Sequence, residues 1–321
     1  MAETERKILV TGPAGQIGSE LVPALQERHG KDNVVALVHE HTPVGYDGPS
    51  ASGDAQDFEG MKKIVDDHNI GVIYHLASLL SAKGENDPVL TWNVNMGGLV
   101  NVLQIAKESN LRVFWPSSIA VSGESTPRDN MPQHTILEPS RNMYGPTKVA
   151  GELLSGYFHR QHGVDVRSVR FPGLISWKTP PGGGTTDYAV AIFYEGLQKG
   201  QYECFVTEDT VLSMMYMDDA IKGVLQLMDA DLSEVERFQS YNMGAISFSA
   251  GELAAEIKKH IPDLKVTYKP DPQRQGNADS WPKSVDDSDA RKDWGWKPEF
   301  DLPKMTSTMV EKLREKFGQK K

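Results

Sequence analysis

The sequence predicts an α/β fold with a doubly wound parallel sheet and a smaller C-terminal lobe. Short apolar runs alternate with amphipathic helical segments as far as Ser176, and a glycine-rich turn joins the first run to the first helix. Beyond Ser176 the alternation becomes irregular. Regular alternation favours βαβ units and a parallel sheet, whereas the irregular part indicates an additional lobe. A chain of 321 residues is long enough for both.

The first strand, turn and helix predict a dinucleotide site. An apolar run at residues 8–10 is followed by Gly12, Gly15 and Gly18, and a helical pattern starts at Ile17. Gly12 can adopt the backbone angles of a tight turn, Gly15 leaves room for a pyrophosphate, and Gly18 lets the helix pack closely on the strand. Free N–H groups at the start of the helix favour a phosphate there. This arrangement is typical of a Rossmann-type fold.

The next segments concern the adenosine half of such a cofactor. A second strand is predicted at residues 33–38, and Val38 stands where an acidic residue usually binds the ribose, with Glu40 as an alternative. His39 and Glu40 occupy the place where a 2′-phosphate would need Arg or Lys, which favours NAD over NADP. Asp54 follows a third strand and is either an adenine acceptor or a helix N-cap.

Two later strands should deliver polar groups to the same sheet edge. A strand at residues 72–78 contains His75, which we interpret as a buried strand histidine with a backbone partner, and a long helix starts at Pro88. The strand at residues 111–115 leads to Ser117 and Ser118. Ligands of open parallel sheets bind at the carboxyl ends of the strands, so these hydroxyls should face the cofactor.

A Tyr and a Lys share one face of the helix that follows. Pro146 is tolerated only in a first helical turn, which places the helix start near Tyr144. Tyr144 and Lys148 are four residues apart and therefore lie on the same face. A Tyr and a Lys at this spacing are often ordinary surface residues. Here they follow a nucleotide loop and a hydroxyl-bearing strand end in one domain, and this combination makes them candidate site residues.

The remaining chain predicts the second lobe. By composition, residues 180–184 indicate a hinge or linker. A strand at residues 240–243 should return to the main sheet, and Ser249 with Glu252 predicts a capped helix. We expect a nucleotide-binding domain of residues 1–176 plus about 214–246, and a lobe of residues 177–213 and 247–321.

Composition excludes several classes of protein. Lys and Arg total 34 against 44 for Asp and Glu, so the net charge is −10 and nucleic acid is not an expected partner. The single cysteine, Cys204, allows no internal disulfide, and no metal-ligand spacing is present, so we expect no metal. No apolar run is long enough to span a membrane, and no targeting segment precedes the first strand. We expect a cytoplasmic or mitochondrial-matrix protein.

The glycine turn, the serine pair and the Tyr-x-x-x-Lys helix together resemble the extended short-chain dehydrogenase/reductase superfamily. Five segments resemble the short-chain-type L-threonine 3-dehydrogenase family in particular, over nearly the whole chain. They are HLASLLSAKGE at residues 75–85, WPSSIA at 115–120, RFPGLIS at 170–176, PGGGTTDYA at 181–189 and DSWP at 279–282. Residues 180–184 would then be a substrate loop and not a linker.

This resemblance implies site residues by position. The catalytic set would be Ser118, Tyr144 and Lys148. NAD would be held by Gly12, Ala14, Gly15, Gln16, Ile17, Gly18, Val38, His39, Asp54, Ala55, Leu76, Ala77, Ser78, Asn95, Ser117, Tyr144, Lys148, Pro172 and Leu174. The substrate would lie against Ser81, Ser117, Ser118, Tyr144, Gly184, Thr185, Thr186 and Trp281.

The resemblance implies oxidation of L-threonine at Cβ, with Tyr144 as base. We expect Lys148 and the nicotinamide to lower the pKa of Tyr144, and Ser118 to orient the substrate hydroxyl. Asp187 should cap the following helix, with binding of the substrate ammonium as its alternative. A homodimer formed through the two long helices is expected. The competing hypotheses are a nucleotide-sugar epimerase or dehydratase and a non-catalytic NAD-sensing protein.

Overall fold

The structure, a computed structural model, describes residues 6–39, 45–139 and 142–319. Glu40, the alternative ribose-binding acid, lies outside the described residues. The strands are β1 (Lys7–Thr11), β2 (Val34–Val38), β3 (Ser50–Ser52), β4 (Ile70–His75), β5 (Arg112–Ser118), β6 (Asp165–Phe171), β7 (Gly173–Ile175), β8 (Gln201–Cys204), β9 (Val211–Tyr216), β10 (Tyr241–Asn242), β11 (Ile246–Ser249) and β12 (Lys265–Tyr268). The helices are α1 (Gly18–His29), α2 (Phe58–Asp67), α3 (Ser81–Gly84), α4 (Pro88–Ser109), α5 (Tyr144–His162), α6 (Tyr188–Lys199), α7 (Met217–Asp229), α8 (Ala250–Lys258), α9 (Pro272–Ser280), α10 (Ser288–Trp294) and α11 (Leu302–Lys316).

The main sheet is parallel, as the alternating pattern predicts. Its strand order is β10-β6-β5-β4-β1-β2-β3, and every pairing in it is parallel. The strand order reverses beside β1, so crossovers cover both faces of the sheet. Continuous burial explains the apolar runs, since Leu9, Val10 and Ile73 are fully buried. The predicted return of residues 240–243 to this sheet is confirmed by the pairing of β10 with β6.

Two smaller sheets lie outside the main one. Strand β9 pairs parallel with β7 and antiparallel with β11, while β8 pairs parallel with β12. Together with α6, α8 and α11 they enclose a separate apolar core that includes Phe193, Leu212 and Met309. This core is distinct from those on the two faces of the main sheet. The two-lobe division of the chain stays a prediction.

Helix starts follow local sequence closely. Helix α5 begins at Tyr144, as Pro146 predicts, and the Ser249–Glu252 capping box is present at α8. One alternative is wrong: Asp57, and not Asp54, caps α2, because the Asp57 carboxylate accepts from the N–H of Gly60. No helix in the part of the chain that the structure describes is long and apolar enough to cross a membrane.

Candidate active site

A cavity of about 150 Å³ lies at the carboxyl ends of β1, β4, β5 and β6. This is the edge at which open parallel sheets bind their ligands. The loop before α6 and the end of α9 close its other side. It is lined by Gln16, Ile17, Leu76, Ser78, Leu80, Ser81, Pro116, Ser117, Ser118, Ile119, Tyr144, Lys148, Phe171, Pro172, Gly173, Leu174, Gly184, Thr185, Thr186, Asp187 and Trp281.

The glycine turn after β1 needs its glycines for different reasons. Gly12 has φ +66°, and a Cβ there would lie 2.8 Å from the backbone nitrogen of Ala77. A Cβ at Gly18 would lie 2.3 Å from the carbonyl oxygen of Gly12. At Gly15 the contact within 4 Å would be that same oxygen, at 3.3 Å. Gly12 and Gly18 therefore serve the fold, whereas Gly15 leaves space on the open side of the turn.

Thr11 joins the ends of β1 and β4. Its hydroxyl oxygen accepts from the backbone N–H groups of Leu76 and Ala77, both at 3.1 Å, and lies 2.9 Å from His75 Nδ1. The partner of His75 is thus a side chain, and the prediction of a backbone partner is wrong. Burial, reinforced by the positive charge of Lys148, lowers the pKa of His75 to about 3, so the imidazole is neutral.

Ser118, Tyr144 and Lys148 meet at the cavity. The hydroxyls of Ser118 and Tyr144 are hydrogen-bonded. The Lys148 side chain is buried, and its Nζ donates to the carbonyl oxygen of Pro116 at 2.6 Å. The same nitrogen lies 4.6 Å from the ring centroid of Trp115 and 5.2 Å from that of Tyr144. The predicted shared face of α5 therefore brings the phenol and the amine to one place.

Burial sets the protonation of this pair. It raises the pKa of Tyr144 to about 12, while the hydrogen bond from Ser118 opposes the shift. Burial also lowers the pKa of Lys148 to about 7, with the Glu152 carboxylate opposing. In the protein alone desolvation of the phenolate outweighs the hydrogen bond from Ser118, so the lowered tyrosine pKa that we expect with Lys148 and the nicotinamide stays a prediction. Any lowering requires a further positive charge at this site.

A buried ion pair beneath the site escaped the sequence reasoning. Glu152 lies one turn after Lys148, and its carboxylate accepts from Arg170 Nε at 2.9 Å and from another guanidinium nitrogen at 2.8 Å. The Ser117 hydroxyl donates to the same carboxylate at 2.5 Å. Ser117 lines the cavity, yet its hydroxyl is engaged below it. The sequence did contain a pattern that places Glu152 on this face of α5, since Tyr144, Lys148 and Glu152 are spaced four residues apart.

The loop before α6 forms the opposite wall. Thr185 is buried, and Gly184 and Thr186 also line the cavity. The prediction that Asp187 caps α6 is wrong: its carboxylate accepts from the N–H groups of Gly183 and Gly184, at 2.6 and 2.8 Å, and closes the preceding turn.

Other predicted residues shape the cavity from nearby positions. Asn95 does not line it, because its amide bonds both backbone polar groups of Leu79 and the hydroxyl of Thr147. Ser81 and Trp281 do line it and are buried, and among the described residues the indole N–H of Trp281 has no hydrogen-bond partner.

A second set of residues that we did not predict links this wall to α5. Asn142 Nδ2 lies 3.3 Å from Asn277 Oδ1, and Asn277 Nδ2 lies 3.1 Å from Thr185 Oγ1. The partners are separated by 135 and 92 residues in sequence. No local pattern indicates contacts at such distances along the chain.

Residues 8–244 match the model of the NAD dependent epimerase/dehydratase family. The chain belongs to this family. An uncharacterized epimerase/dehydratase of Staphylococcus haemolyticus is 47% identical over 97% of this chain and 98% of its own length. The L-threonine dehydrogenase of Clostridium difficile is 49% identical, with a TM-score of 0.94 over 97% of this chain and 98% of that one. A monomeric L-threonine 3-dehydrogenase from a metagenome is 49% identical, with a TM-score of 0.92 over 96% and 99%.

Membership of the epimerase/dehydratase family implies NAD, and the residues present fit it. Among the described residues, a Cβ at Gly15 would have one neighbour within 4 Å, the Gly12 carbonyl oxygen of the same turn, so the other side of Gly15 is open. Helix α1 starts three residues later, at Gly18. Asp54 follows β3 with its carboxylate partly exposed, 3.8 Å from His39. Val38 ends β2 beside it. A phosphate-sized space, a helix N-terminus and an accessible acid thus follow one another along the sheet edge.

Proposed function

We propose that this chain is an NAD-dependent L-threonine 3-dehydrogenase, which oxidises the Cβ hydroxyl of threonine and yields 2-amino-3-oxobutanoate and NADH. The observation that carries the proposal is the meeting of Ser118, Tyr144 and Lys148 at a small cavity. Two solved structures that are each 49% identical to this chain are L-threonine dehydrogenases, which supports this choice of substrate.

Tyr144 acts as the general base for the substrate hydroxyl. With a pKa of about 12 in the protein alone, it is protonated at neutral pH. A positive charge brought close to it would favour the phenolate and lower that pKa. Ser118 already bonds the phenol, and it holds the substrate oxygen between the two hydroxyls. The proton therefore passes from the substrate to the Tyr144 oxygen.

Lys148 supplies charge and position. Its amine is fixed by the carbonyl of Pro116 and by the Trp115 ring. From there it would bond the nicotinamide ribose and, when protonated, would favour the phenolate of Tyr144. When bound, NAD accepts the hydride that leaves Cβ.

The residues that hold NAD follow the sheet edge. Gly12, Ala14, Gly15, Gln16, Ile17 and Gly18 would take the pyrophosphate; Val38, His39, Asp54 and Ala55 would take the adenosine; Leu76, Ala77, Ser78, Asn95, Ser117, Pro172 and Leu174 would shape the nicotinamide side. The partly exposed carboxylate of Asp54 would repel a 2′-phosphate bound beside it, which supports NAD over NADP.

The substrate lies against Ser81, Ser118, Thr185, Thr186 and Trp281, with Gly184 and Ser117 completing the wall. These groups supply hydroxyl and indole donors, and they suit a small polar substrate.

The test is the appearance of the NADH absorbance band when L-threonine and NAD are added to the protein. We expect turnover with threonine and no product from UDP- or GDP-sugars. Tyr144→Phe should lose about 10²–10⁴-fold in kcat and keep its affinity for NAD. Tyr268→Phe, on β12 away from the cavity, is the matched control. Product from a nucleotide sugar but none from threonine would overturn the proposal.

We further propose a homodimer formed through α4 and α5. Apolar side chains on this face are largely exposed, with Trp92 at 43%, Leu153 at 53% and Tyr157 at 49%. One similar structure is described as monomeric, so the support is this face alone. Light scattering after size exclusion should give twice the chain mass, and Leu153→Glu should give the mass of one chain. A wild-type protein with the mass of one chain would contradict the dimer. A cytoplasmic location stays a prediction.

A further inference from the structure

A chain of hydrogen bonds runs from the start of α5 to the wall of the candidate active site. The backbone N–H of Gly145 lies 3.3 Å from Asn142 Oδ1, and the amides of Asn142 and Asn277 meet at 3.3 Å. Asn277 Nδ2 then lies 3.1 Å from the Thr185 hydroxyl oxygen. The side chains of Asn142, Asn277 and Thr185 are all buried, with 4%, 8% and 3% of their surface exposed. Their polar groups therefore depend on one another and not on solvent.

The Gly145 N–H is shared between two acceptors, the backbone carbonyl of Asn142 at 3.2 Å and its Oδ1 at 3.3 Å. A backbone N–H only donates, so this bond favours the orientation in which Asn142 turns its carbonyl oxygen to Gly145 and its NH₂ to Asn277. Asn277 must then offer its carbonyl oxygen to Asn142 and its NH₂ to Thr185. The Thr185 oxygen accepts this bond. Its single hydrogen stays available for a partner elsewhere.

The position of Thr185 shows where that partner lies. Thr185 lines the cavity that also holds Tyr144, and it lines an adjoining cavity of about 160 Å³. The adjoining cavity contains Arg274, whose guanidinium lies over the ring of Phe205 at 4.2 Å. It also contains Asp271, whose carboxylate is engaged as the N-cap of α9. A hydroxyl hydrogen and a guanidinium at this wall suit a ligand group that accepts hydrogen bonds and carries negative charge.

We propose that Asn142 and Asn277 are positioning residues that hold the Thr185 hydroxyl as a donor to the substrate carboxylate. The proposal rests on the proposed function, since threonine is the substrate considered. A carboxylate only accepts hydrogen bonds, whereas an ammonium only donates them. Thr185 therefore selects the carboxylate end of the amino acid. This also orients Cβ, because one end of the substrate is fixed at the wall opposite Tyr144.

Two isosteric substitutions should reverse the donor and acceptor roles along this series of hydrogen bonds. In Asn277→Asp the new carboxylate accepts from Asn142 and takes the Thr185 hydrogen as well, so Thr185 presents only a lone pair to the cavity. In Asn142→Asp the donor to Asn277 is lost. Asn277 then turns its NH₂ to the new carboxylate and its carbonyl to Thr185, with the same result. Two changes at separate positions thus predict one effect.

The measurement compares L-threonine with 1-amino-2-propanol, which has the same alcohol and amine but no carboxylate. In both variants kcat/KM for threonine should fall on the order of ten- to hundredfold through KM, with kcat unchanged. The value for 1-amino-2-propanol should not move. Asn33→Asp is the matched control, because the Asn33 side chain donates to the His29 carbonyl and lines neither cavity.

Thr185 itself provides the second line of the test. Thr185→Val removes the hydroxyl and should abolish the preference for threonine over 1-amino-2-propanol, whereas Thr185→Ser should keep it. Asn277→Asp should add nothing to the KM of Thr185→Val. Three results would show that this inference is wrong while the proposed function stands: the Asp variants lower kcat alone, they affect both substrates equally, or Asn277→Asp raises the KM of Thr185→Val further. If the wild type does not oxidise threonine, the proposed function fails and the inference fails with it.

Discussion

Replacing Glu152 by Gln should destabilise the protein and disturb its active site together. Glu152 is fully buried and accepts from Arg170 twice and from Ser117 once. The amide keeps the shape but removes the charge, so the Arg170 guanidinium is left buried without its counter-ion. Breaking a buried pair in this way costs about 3–5 kcal/mol. The unfolding entropy of a 321-residue chain is about 0.7 kcal/mol/K, so the melting temperature should fall by about 4–7 °C.

Calorimetry or thermal circular dichroism measures this shift. The matched control is Glu195→Gln, which removes an exposed pair with Lys199 on α6 and should shift the melting temperature by about 1 °C or less. Glu152→Gln should also lower the pKa of Lys148 further, because the carboxylate opposes the effect of burial there. A Glu152→Gln protein that melts with the wild type would refute the reasoning that this pair is a buried and mutually dependent unit.

Three further outcomes follow from the same geometry. Lys148→Met should abolish turnover yet melt at a higher temperature than the wild type near pH 6. Burial holds the pKa of Lys148 at about 7, so between about pH 7 and 10 the unfolded wild-type chain binds a proton that the folded protein lacks. The wild type is therefore stabilised as pH rises through that window, and the difference in melting temperature between variant and wild type should close. A constant gap would contradict this. Gly15→Ala should melt like the wild type but lose NADH binding by fluorescence, whereas Gly18→Ala should lose stability, because its Cβ would strike the Gly12 oxygen; equal stability of the two would be contrary evidence. The rate of NADH formation should rise with pH for as long as the protein stays folded, because burial raises the pKa of Tyr144 to about 12 and each step in pH increases the phenolate fraction; a falling rate in a protein that stays folded would oppose Tyr144 as the base.

Local sequence was sufficient to predict the framework of the site. The glycine turn, the burial of β1 and the start of α5 at Tyr144 each depend on backbone rules that act over a few residues. The parallel order of the main sheet follows from regular crossovers, and even the short return of β10 left a readable pattern. Tyr144 and Lys148 met because a helix brings residues four apart together.

The polar network around that framework depends on distant partners. Arg170 on β6 meets Glu152 on α5, and Asn277 on α9 meets Asn142 before α5. Nothing in a local window indicates which buried amide or guanidinium pairs with which. The raised pKa of Tyr144 in the protein alone escaped the sequence for a related reason, since sequence shows the nearby amine and not the loss of solvent around the phenol.

The central claim is that a hydrogen leaves Cβ of threonine as hydride while Tyr144 takes the hydroxyl proton. L-Threonine deuterated at Cβ tests it most directly, with mass spectrometry of the reduced cofactor formed by the wild type and by Tyr144→Phe. We predict one deuterium in each NADH made by the wild type, and a rate about 10²–10⁴-fold lower in the variant. Unlabelled NADH, or a Tyr144→Phe protein that turns over at the wild-type rate, would contradict the account.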